Sequence, residues 1–260
     1  MLQSLLSAIG VYKVYRRWLQ MQIESEEKPE HIGIILDGNR RWAYAKDMIP
    51  WHGHREGAEK VTNFLDWCID LGIKTVTLYA FSTENFQRQR KEVDEIMKLM
   101  EEHLEEILGS EVIHESRVCV RAIGRINQLP RRVQQLIHKV EESTMDYDQF
   151  YLNLALAYGG RAEIVDAAKK IVSKVQRGEM RPDDIDEGVF EEHLYTSYLP
   201  KQDPDLIIRT SGEARLSGFL LWQSAYSELF FVDVYWPEFR EIDLLRAIRS
   251  FQQRHRRFGI

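Results

Sequence analysis

From His31 onward, short apolar runs rich in β-branched residues alternate with longer amphipathic runs. That alternation is the pattern of an α/β domain built on a mainly parallel sheet. Strands are expected at Ile32–Leu36, Thr75–Phe81, Val118–Ile123, Tyr151–Ala157, Leu206–Arg209 and Phe230–Val234. Helices are expected between them, at Ala58–Leu71, Val93–Leu108, Arg131–Glu142, Ala162–Val175 and Ile242–Arg254. The expectation is a single α/β domain over residues 31–260, with a six-stranded, mainly parallel sheet flanked by helices. At 260 residues the chain is long enough to bury a core without disulfides or a structural metal.

Residues 1–30 read as a separate unit, an amphipathic helix and a linker. Leu2, Leu5, Ile9, Tyr12, Leu19 and Ile23 recur at helical spacing, with Lys13, Arg16, Arg17 and Gln20 elsewhere on the wheel. The uncharged run is shorter than the ~20 apolar residues that span a bilayer, and it lacks the early charge and cleavage site of a signal peptide. Two readings stand side by side. The helix rests on a membrane surface, with Tyr15 and Trp18 at the interface, or it packs on its own domain. An acidic stretch from Glu24 to Glu30 then leads into the main domain.

Composition narrows the function. Apolar residues at 44% and charged residues at 29% fit neither a disordered segment, a collagen-like repeat nor a multi-span membrane protein. A net charge of −6 speaks against a nucleic-acid partner, so any polyanion site is local. Cys68 and Cys119 lie in apolar stretches without metal-ligand spacing and read as reduced core thiols, which points to a reducing, cytoplasmic compartment.

In open parallel sheets ligands bind beyond the carboxyl ends of the strands. The first strand empties into Asp37-Gly38-Asn39-Arg40-Arg41-Trp42, the second into Ser82-Thr83-Glu84-Asn85 with Arg88 beyond, and the fifth into Arg209-Thr210-Ser211-Gly212-Glu213-Ala214-Arg215. Asp-Gly alone is a common turn, and Ser82 and Asn85 alone are helix caps. Recurrence of arginine and small polar residues at three strand ends is not required by capping, and it describes a polyphosphate pocket. Gly38 permits close backbone approach there. A carboxylate among phosphate-binding arginines repels the substrate unless a cation lies between them, so Asp37 implies Mg²⁺. No Walker pattern, no G-x-G-x-x-G after a strand and no G-x-S-x-G elbow occurs, which removes support for nucleotide-driven phosphoryl transfer, hydride transfer and elbow hydrolases. His52-Gly53-His54 has no cysteine set for zinc.

These blocks resemble the cis-prenyltransferases over about His31 to Gly259. The resemblance is carried by His31-Ile-Gly-Ile-Ile-Leu-Asp-Gly-Asn-Arg-Arg-Trp42, Gly53-His54, Leu78-Tyr-Ala-Phe-Ser-Thr-Glu-Asn85 and Asn153 with Tyr158-Gly-Gly-Arg161. It continues through Asp205-Leu-Ile-Ile-Arg-Thr-Ser-Gly-Glu213, Phe219-Leu-Leu-Trp-Gln223, Glu228 and Trp236-Pro237. It implies repeated condensation of isopentenyl diphosphate onto an allylic diphosphate, farnesyl or geranylgeranyl, with a new Z double bond at each step and Mg²⁺ required. On that reading Asp37 carries the metal, together with Glu228. Gly38, Asn39, Arg40, Arg41, Trp42, Arg88 and His54 surround the allylic diphosphate, Ser82 and Asn85 orient the reacting unit, and Arg209, Arg215 and Ser217 bind isopentenyl diphosphate. Glu92 is tied to the second substrate.

The resemblance also implies a homodimer. Arg257-Phe258-Gly259 matches a terminal R-x-G element that reaches the partner's isopentenyl site, and Ser224, Tyr226 and Phe231 fall near the contact surface. A growing hydrocarbon needs an apolar tunnel. Ile96, Met97, Met100, Leu104 and Leu108 form a stripe that serves as ordinary core, as tunnel wall, or as both. One departure stands out: the family's usual arginine ahead of Gly-His is Pro50 here, with Arg40 or Arg55 as substitutes. The alternative function is a non-catalytic partner subunit of the same fold, which lacks the metal aspartate and its polar neighbours.

Overall fold

The computed structural model describes residues 10–255. A six-stranded sheet runs in the order β3-β4-β2-β1-β5-β6, with every neighbouring pair parallel. The strands are β1 (His31–Ile35), β2 (Thr75–Ser82), β3 (Val118–Ile123), β4 (Phe150–Tyr158), β5 (Leu206–Arg209) and β6 (Glu228–Phe231). Five lie within a residue or so of expectation. The sixth is a correction: it begins at Glu228 rather than Phe230 and ends at Phe231. Its register pairs Leu206 with Glu228, and beyond Phe231 the chain turns to satisfy Ser211 and Gly212 with the carbonyls of Val234 and Val232.

Helix α1 (Val11–Glu24) precedes the sheet. Between the strands stand α2 (Asn39–Tyr44), α3 (Pro50–Asp70), α4 (Arg90–Gly109), α5 (Glu111–Glu115), α6 (Arg131–Thr144), α7 (Gly160–Gln176) and α8 (Glu187–Glu191), and α9 (Glu241–His255) closes the described chain. Helix α3 starts two turns earlier than the apolar periodicity suggests, because Pro50 occupies its first position, where a missing N–H costs nothing.

Alternate strand residues divide the core. One face carries Ile32, Ile34, Val76, Leu78, Leu152, Leu206 and Ile208 into the main cluster with α1, α3, α4, α6 and α9. The opposite face carries Ile35, Tyr79, Ile123, Ala155 and Ile207 into a smaller cluster with Phe219 and Leu220. Helix α1 packs on its own domain through fully buried Leu19 and Ile23, Arg16 pairs with Glu241 at 3.0 Å, and Gln252 donates to the carbonyl of Ile23 at 3.1 Å. Cys68 and Cys119 are free and buried.

On the second face a polar chain crosses three central strands. The His31 ring lies 2.8 Å from the Thr77 hydroxyl, Asn153 donates to that hydroxyl at 2.8 Å, and Tyr198 donates to Asn153. His31, Thr77 and Asn153 are fully buried. A network of this kind favours one strand register over its neighbours, since a slip leaves buried polar groups unpaired.

Burial pushes the His31 pKa down from 6.5 to about 4, against the smaller opposite pull of Asp205. The unfolded chain therefore binds a proton below pH 6.5 that the native state refuses until about pH 4, and stability falls with pH across that window. Denaturant titrations of wild type and His31→Gln are expected to show that wild type loses about 3 kcal/mol more between the two pH values. A difference that stays flat across the window contradicts the buried, neutral imidazole.

Candidate active site

The site begins at the carboxyl end of β1. Asp37 is clamped by its backbone: its N–H donates to the Thr210 hydroxyl at 2.9 Å, and its carbonyl accepts from Thr210 Oγ1 at 2.6 Å and from the Trp236 N–H at 3.0 Å. Gly38 follows at φ 103°, where a Cβ would stand 2.7 Å from the Tyr235 ring, so only glycine makes this turn. Thr210 and Tyr235 carry no role in the sequence reading. They become visible only when β1, β5 and the turn after β6 are brought together.

Two arginines grip the Asp37 carboxylate. Arg209 Nη2 donates to Oδ2 at 2.8 Å, and Arg41 Nη2 donates to Oδ1 at 3.3 Å. Burial alone would raise the pKa of Asp37, but the Arg209 hydrogen bond and charge, with Ser211 and Arg41, hold it below the usual carboxylate range. It is an anion at neutral pH. Its side chain is 28% exposed, toward a cleft. Arg209 is buried to 4%, and it also donates to Ser217 Oγ at 2.8 Å and to the Arg215 carbonyl. Ser217 (φ 50°) and Ser211 (φ 76°) hold left-handed backbone conformations in this loop. The Tyr79 hydroxyl donates to the Ser217 carbonyl at 3.3 Å and is a further residue missed by the sequence reading. Arg215 reaches outward to Glu213.

A second cluster centres on Glu92, which is 4% exposed on the first turn of α4. Its Oε1 receives Arg88 Nη1 at 3.1 Å, His54 Nε2 at 3.1 Å and Arg40 Nε at 3.6 Å. One buried carboxylate thereby gathers three basic side chains, from α2, from α3 and from the segment just ahead of α4. Burial pushes the His54 pKa down, the Glu92 hydrogen bond opposes it, and Arg88 and Arg40 add to the depression. Of the two substitutes for the arginine absent at Pro50, Arg40 reaches this cluster. Arg55 pairs with Glu102 on the exposed side of α3.

Ser82 and Asn85 form the cap that their spacing suggests, with the Ser82 N–H donating to Asn85 Oδ1 at 3.1 Å, and both also line the cleft. Glu84 lines the same cleft without having been singled out. The cleft comprises one cavity of about 490 Å³ that includes Asp37, Ser82, Asn85, Arg88, Arg209 and Ser217, and one of about 290 Å³ that includes Gly38, Arg40 and Arg41. Leu36, Asn39 and His54 border both, and they also border a third cavity of about 500 Å³. That third cavity is apolar. It runs between α3 and α4 over the sheet, past Val61, Leu65, Leu78, Ile96, Met100, Leu104 and Leu152. Three of the five stripe residues on α4 thus face the cavity, while Met97 and Leu108 pack elsewhere in the core. Gly53 and Gly57 let α3 approach Asn39 so closely that a Cβ at either would collide with it.

Several candidate residues lie apart from this centre. Trp42 is buried and donates to Glu238 at 3.1 Å, and it lines none of the three cavities. Glu228 opens β6 at the opposite end of the strands from Asp37 and pairs with Arg254 at 3.0 Å. Glu92 groups with the Arg40–His54–Arg88 side rather than with Arg209 and Ser217. Arg257 and Gly259 lie outside the described residues.

Among the described residues no three acidic, histidine or cysteine side chains converge as a metal cage. An ionised Asp37 open to the cleft still fits Mg²⁺, which commonly takes one or two carboxylates and completes its shell with water and substrate phosphates.

The arrangement is an arginine-lined cleft that holds the ionised Asp37 carboxylate and is continuous with a mainly apolar channel. Residues 35–259 match the family model described as "Putative undecaprenyl diphosphate synthase". The chain belongs to the cis-prenyltransferase family. It is 56% identical over 249 residues to the tritrans,polycis-undecaprenyl-diphosphate synthase (geranylgeranyl-diphosphate specific) of Methanopyrus kandleri, covering 96% of this chain and 91% of that protein. The like-named enzyme of Methanocaldococcus jannaschii is also 56% identical, over 96% of this chain and 89% of its own length. Lavandulyl diphosphate synthase from Lavandula x intermedia, solved with dimethylallyl diphosphate, superposes with a TM-score of 0.83 at 39% identity, covering 86% of this chain and 95% of that one. Relatives of this cis-prenyltransferase carry synthase names, so it is an enzyme and the partner-subunit alternative falls away.

The Glu92 cluster yields a direct expectation. Replacing Glu92 by Gln removes the interactions that raise the His54 pKa and leaves burial and the arginines, so the His54 resonance is expected to titrate at still lower pH in NMR. An unchanged or higher titration contradicts the geometry.

Proposed function

We propose that this enzyme condenses isopentenyl diphosphate repeatedly onto an allylic diphosphate, geranylgeranyl diphosphate in first place, to make a long Z-polyprenyl diphosphate. The carrying observation is the shared border of Leu36, Asn39 and His54, where the charged cleft becomes the apolar channel. A substrate with an anionic head and a growing hydrocarbon tail needs that junction. The starter is supported by the names of the Methanopyrus and Methanocaldococcus relatives.

Arg40, Arg41, Arg88 and His54 hold the allylic diphosphate, with its tail entering the channel past Asn39. Arg209, with Ser217 and Arg215, holds the isopentenyl diphosphate, and Ser82 and Asn85 set its alkene toward the allylic carbon. As the allylic C–O bond breaks, negative charge grows on the leaving oxygens, and guanidinium groups already in place stabilise it without reorganisation. Fixed alignment of both reactants supplies much of the rest. Asp37 would hold Mg²⁺, which when bound neutralises diphosphate oxygens as they accept charge. Residues 31–260 act as the catalytic domain, and 1–30 as an appendage to it.

The reading extends to assembly and place. The enzyme works as a homodimer whose contact surface lies by edge strand β6, supported by Tyr226 (88% exposed) and Phe231 (36% exposed) beside it. Glu228 and the Arg257–Gly259 tail act there on the partner's site. The protein is cytoplasmic and peripheral at the membrane; among the described residues no helix is long and apolar enough to cross one.

With Mg²⁺, labelled isopentenyl diphosphate and geranylgeranyl diphosphate, the purified protein is expected to make a ladder of longer prenyl diphosphates. Asp37→Asn is expected to lose at least about a hundredfold in kcat while remaining folded. Normal turnover by that variant defeats the assignment of Asp37. Deleting Arg257 to Ile260 is expected to raise the KM for isopentenyl diphosphate and leave that for the allylic substrate in place. Unaltered kinetics remove the tail from the site.

A further inference from the structure

Helix α1 spends only half of its apolar arc on its own domain. Leu19 and Ile23 are buried, and Tyr12 and Tyr15 pack against the core. The other half faces outward. At about 100° per residue, Met21, Val14, Trp18 and Val11 fall side by side on the wheel. They are 62%, 70%, 38% and 47% exposed.

Cations border this strip on both sides. Lys13 and Arg17, both exposed, follow Val14 and Met21 on the wheel. On the other border the cations come from α9. Tyr15 and Trp18 stack with centroids 5.8 Å apart and 18° between planes. Arg246 lies 5.2 Å from the Tyr15 ring and donates to its hydroxyl at 3.2 Å, while Arg249 lies 4.6 Å from the Trp18 ring. Of the nearby acids, Asp243 is buried between Arg240 and Arg246 and Glu241 accepts from Arg16 and Gln20, while exposed Glu24 falls between Lys13 and Arg17 on the wheel in the last turn of α1; six basic side chains (Lys13, Arg16, Arg17, Arg240, Arg246 and Arg249) face these three acids. A local excess of positive charge therefore stands on a chain of net charge −6. In the sequence, residues 1–9 contain no charged side chain.

We propose that the α1–α9 face docks the enzyme flat on an anionic bilayer. Val11, Val14 and Met21 enter the acyl boundary, Tyr15 and Trp18 lie at headgroup level, and Arg17, Arg246 and Arg249 meet lipid phosphates. Arginine-covered aromatic rings suit that depth because each presents an apolar body and a polar rim. The proposal rests on the prenyl-transfer reading for its purpose, since a polyprenyl product is an amphiphile that a bilayer must receive, but the contact itself does not involve Asp37.

The test is co-sedimentation of the full chain with vesicles of phosphatidylcholine alone and of equal parts phosphatidylcholine and phosphatidylglycerol, alongside prenyl transfer in detergent. Wild type is expected to bind the anionic vesicles and to bind neutral ones, or anionic ones in high salt, roughly tenfold more weakly. Val14→Glu with Met21→Glu, and separately Arg246→Gln with Arg249→Gln, are each expected to lose binding roughly tenfold or more while detergent activity stays at the wild-type level. Absence of vesicle binding by wild type, or equal binding by the Val14→Glu/Met21→Glu variant, overturns the proposal. So does a change of oligomeric state in that variant by sedimentation equilibrium, which gives the face to a second copy. Vesicle binding by a wild type that transfers no prenyl group leaves the docking surface standing and defeats the proposed reaction instead.

Discussion

The structure depends on the ion pair between Asp37 and Arg209. A guanidinium only 4% exposed is tolerated because a carboxylate meets its Nη2 at 2.8 Å and Ser217 and the Arg215 carbonyl take its Nη1, although Nε is buried without a partner. The same contact keeps Asp37 ionised. Because Asp37 lies two residues beyond β1 and Arg209 ends the adjacent parallel strand β5, the pair also joins the loop that begins α2 to the strained loop that carries Ser217. Charge, strand pairing and loop conformation thus converge on one point, which is where a diphosphate would displace part of the pairing.

From that point the chemistry divides by solvent. On the cleft side Glu92 holds Arg88, His54 and Arg40 in position before any ligand arrives, so little side-chain entropy remains to be lost on binding. On the channel side the wall is mainly apolar, and its area is an opportunity to shelter hydrocarbon from water. Asn39, packed against Gly53 and Gly57, stands at the change-over.

Much of this was legible in the sequence, and the failures have physical causes. Strand runs such as Thr75–Ser82 were visible because parallel strands buried on both faces are nearly continuous apolar runs. The early start of α3 was hidden by Pro50, Gly53 and Gly57, which read as loop residues, although proline suits a first helical turn and the glycines admit Asn39. The end of β6 was misjudged because Val232 and Val234 look like strand residues while their carbonyls serve Gly212 and Ser211. Asp37 and Arg41 after β1 and Arg209 at the end of β5 could be gathered from two strand ends. Thr210, Tyr79 and Tyr235 could not, since their parts depend on strand order. Nor could a sequence show that Glu228 and Asp37 occupy opposite ends of the sheet within one chain.

The central claim is that Asp37 exchanges part of its arginine pairing for a metal ion shared with substrate diphosphate. A crystal structure of the complex with Mg²⁺, geranylgeranyl diphosphate and a non-reactive isopentenyl analogue tests it most directly. The account predicts that Asp37 would hold the ion, in the same cleft as the diphosphates. Diphosphates bound in the cleft with Asp37 still paired to both arginines, and no ion on it, would contradict the account.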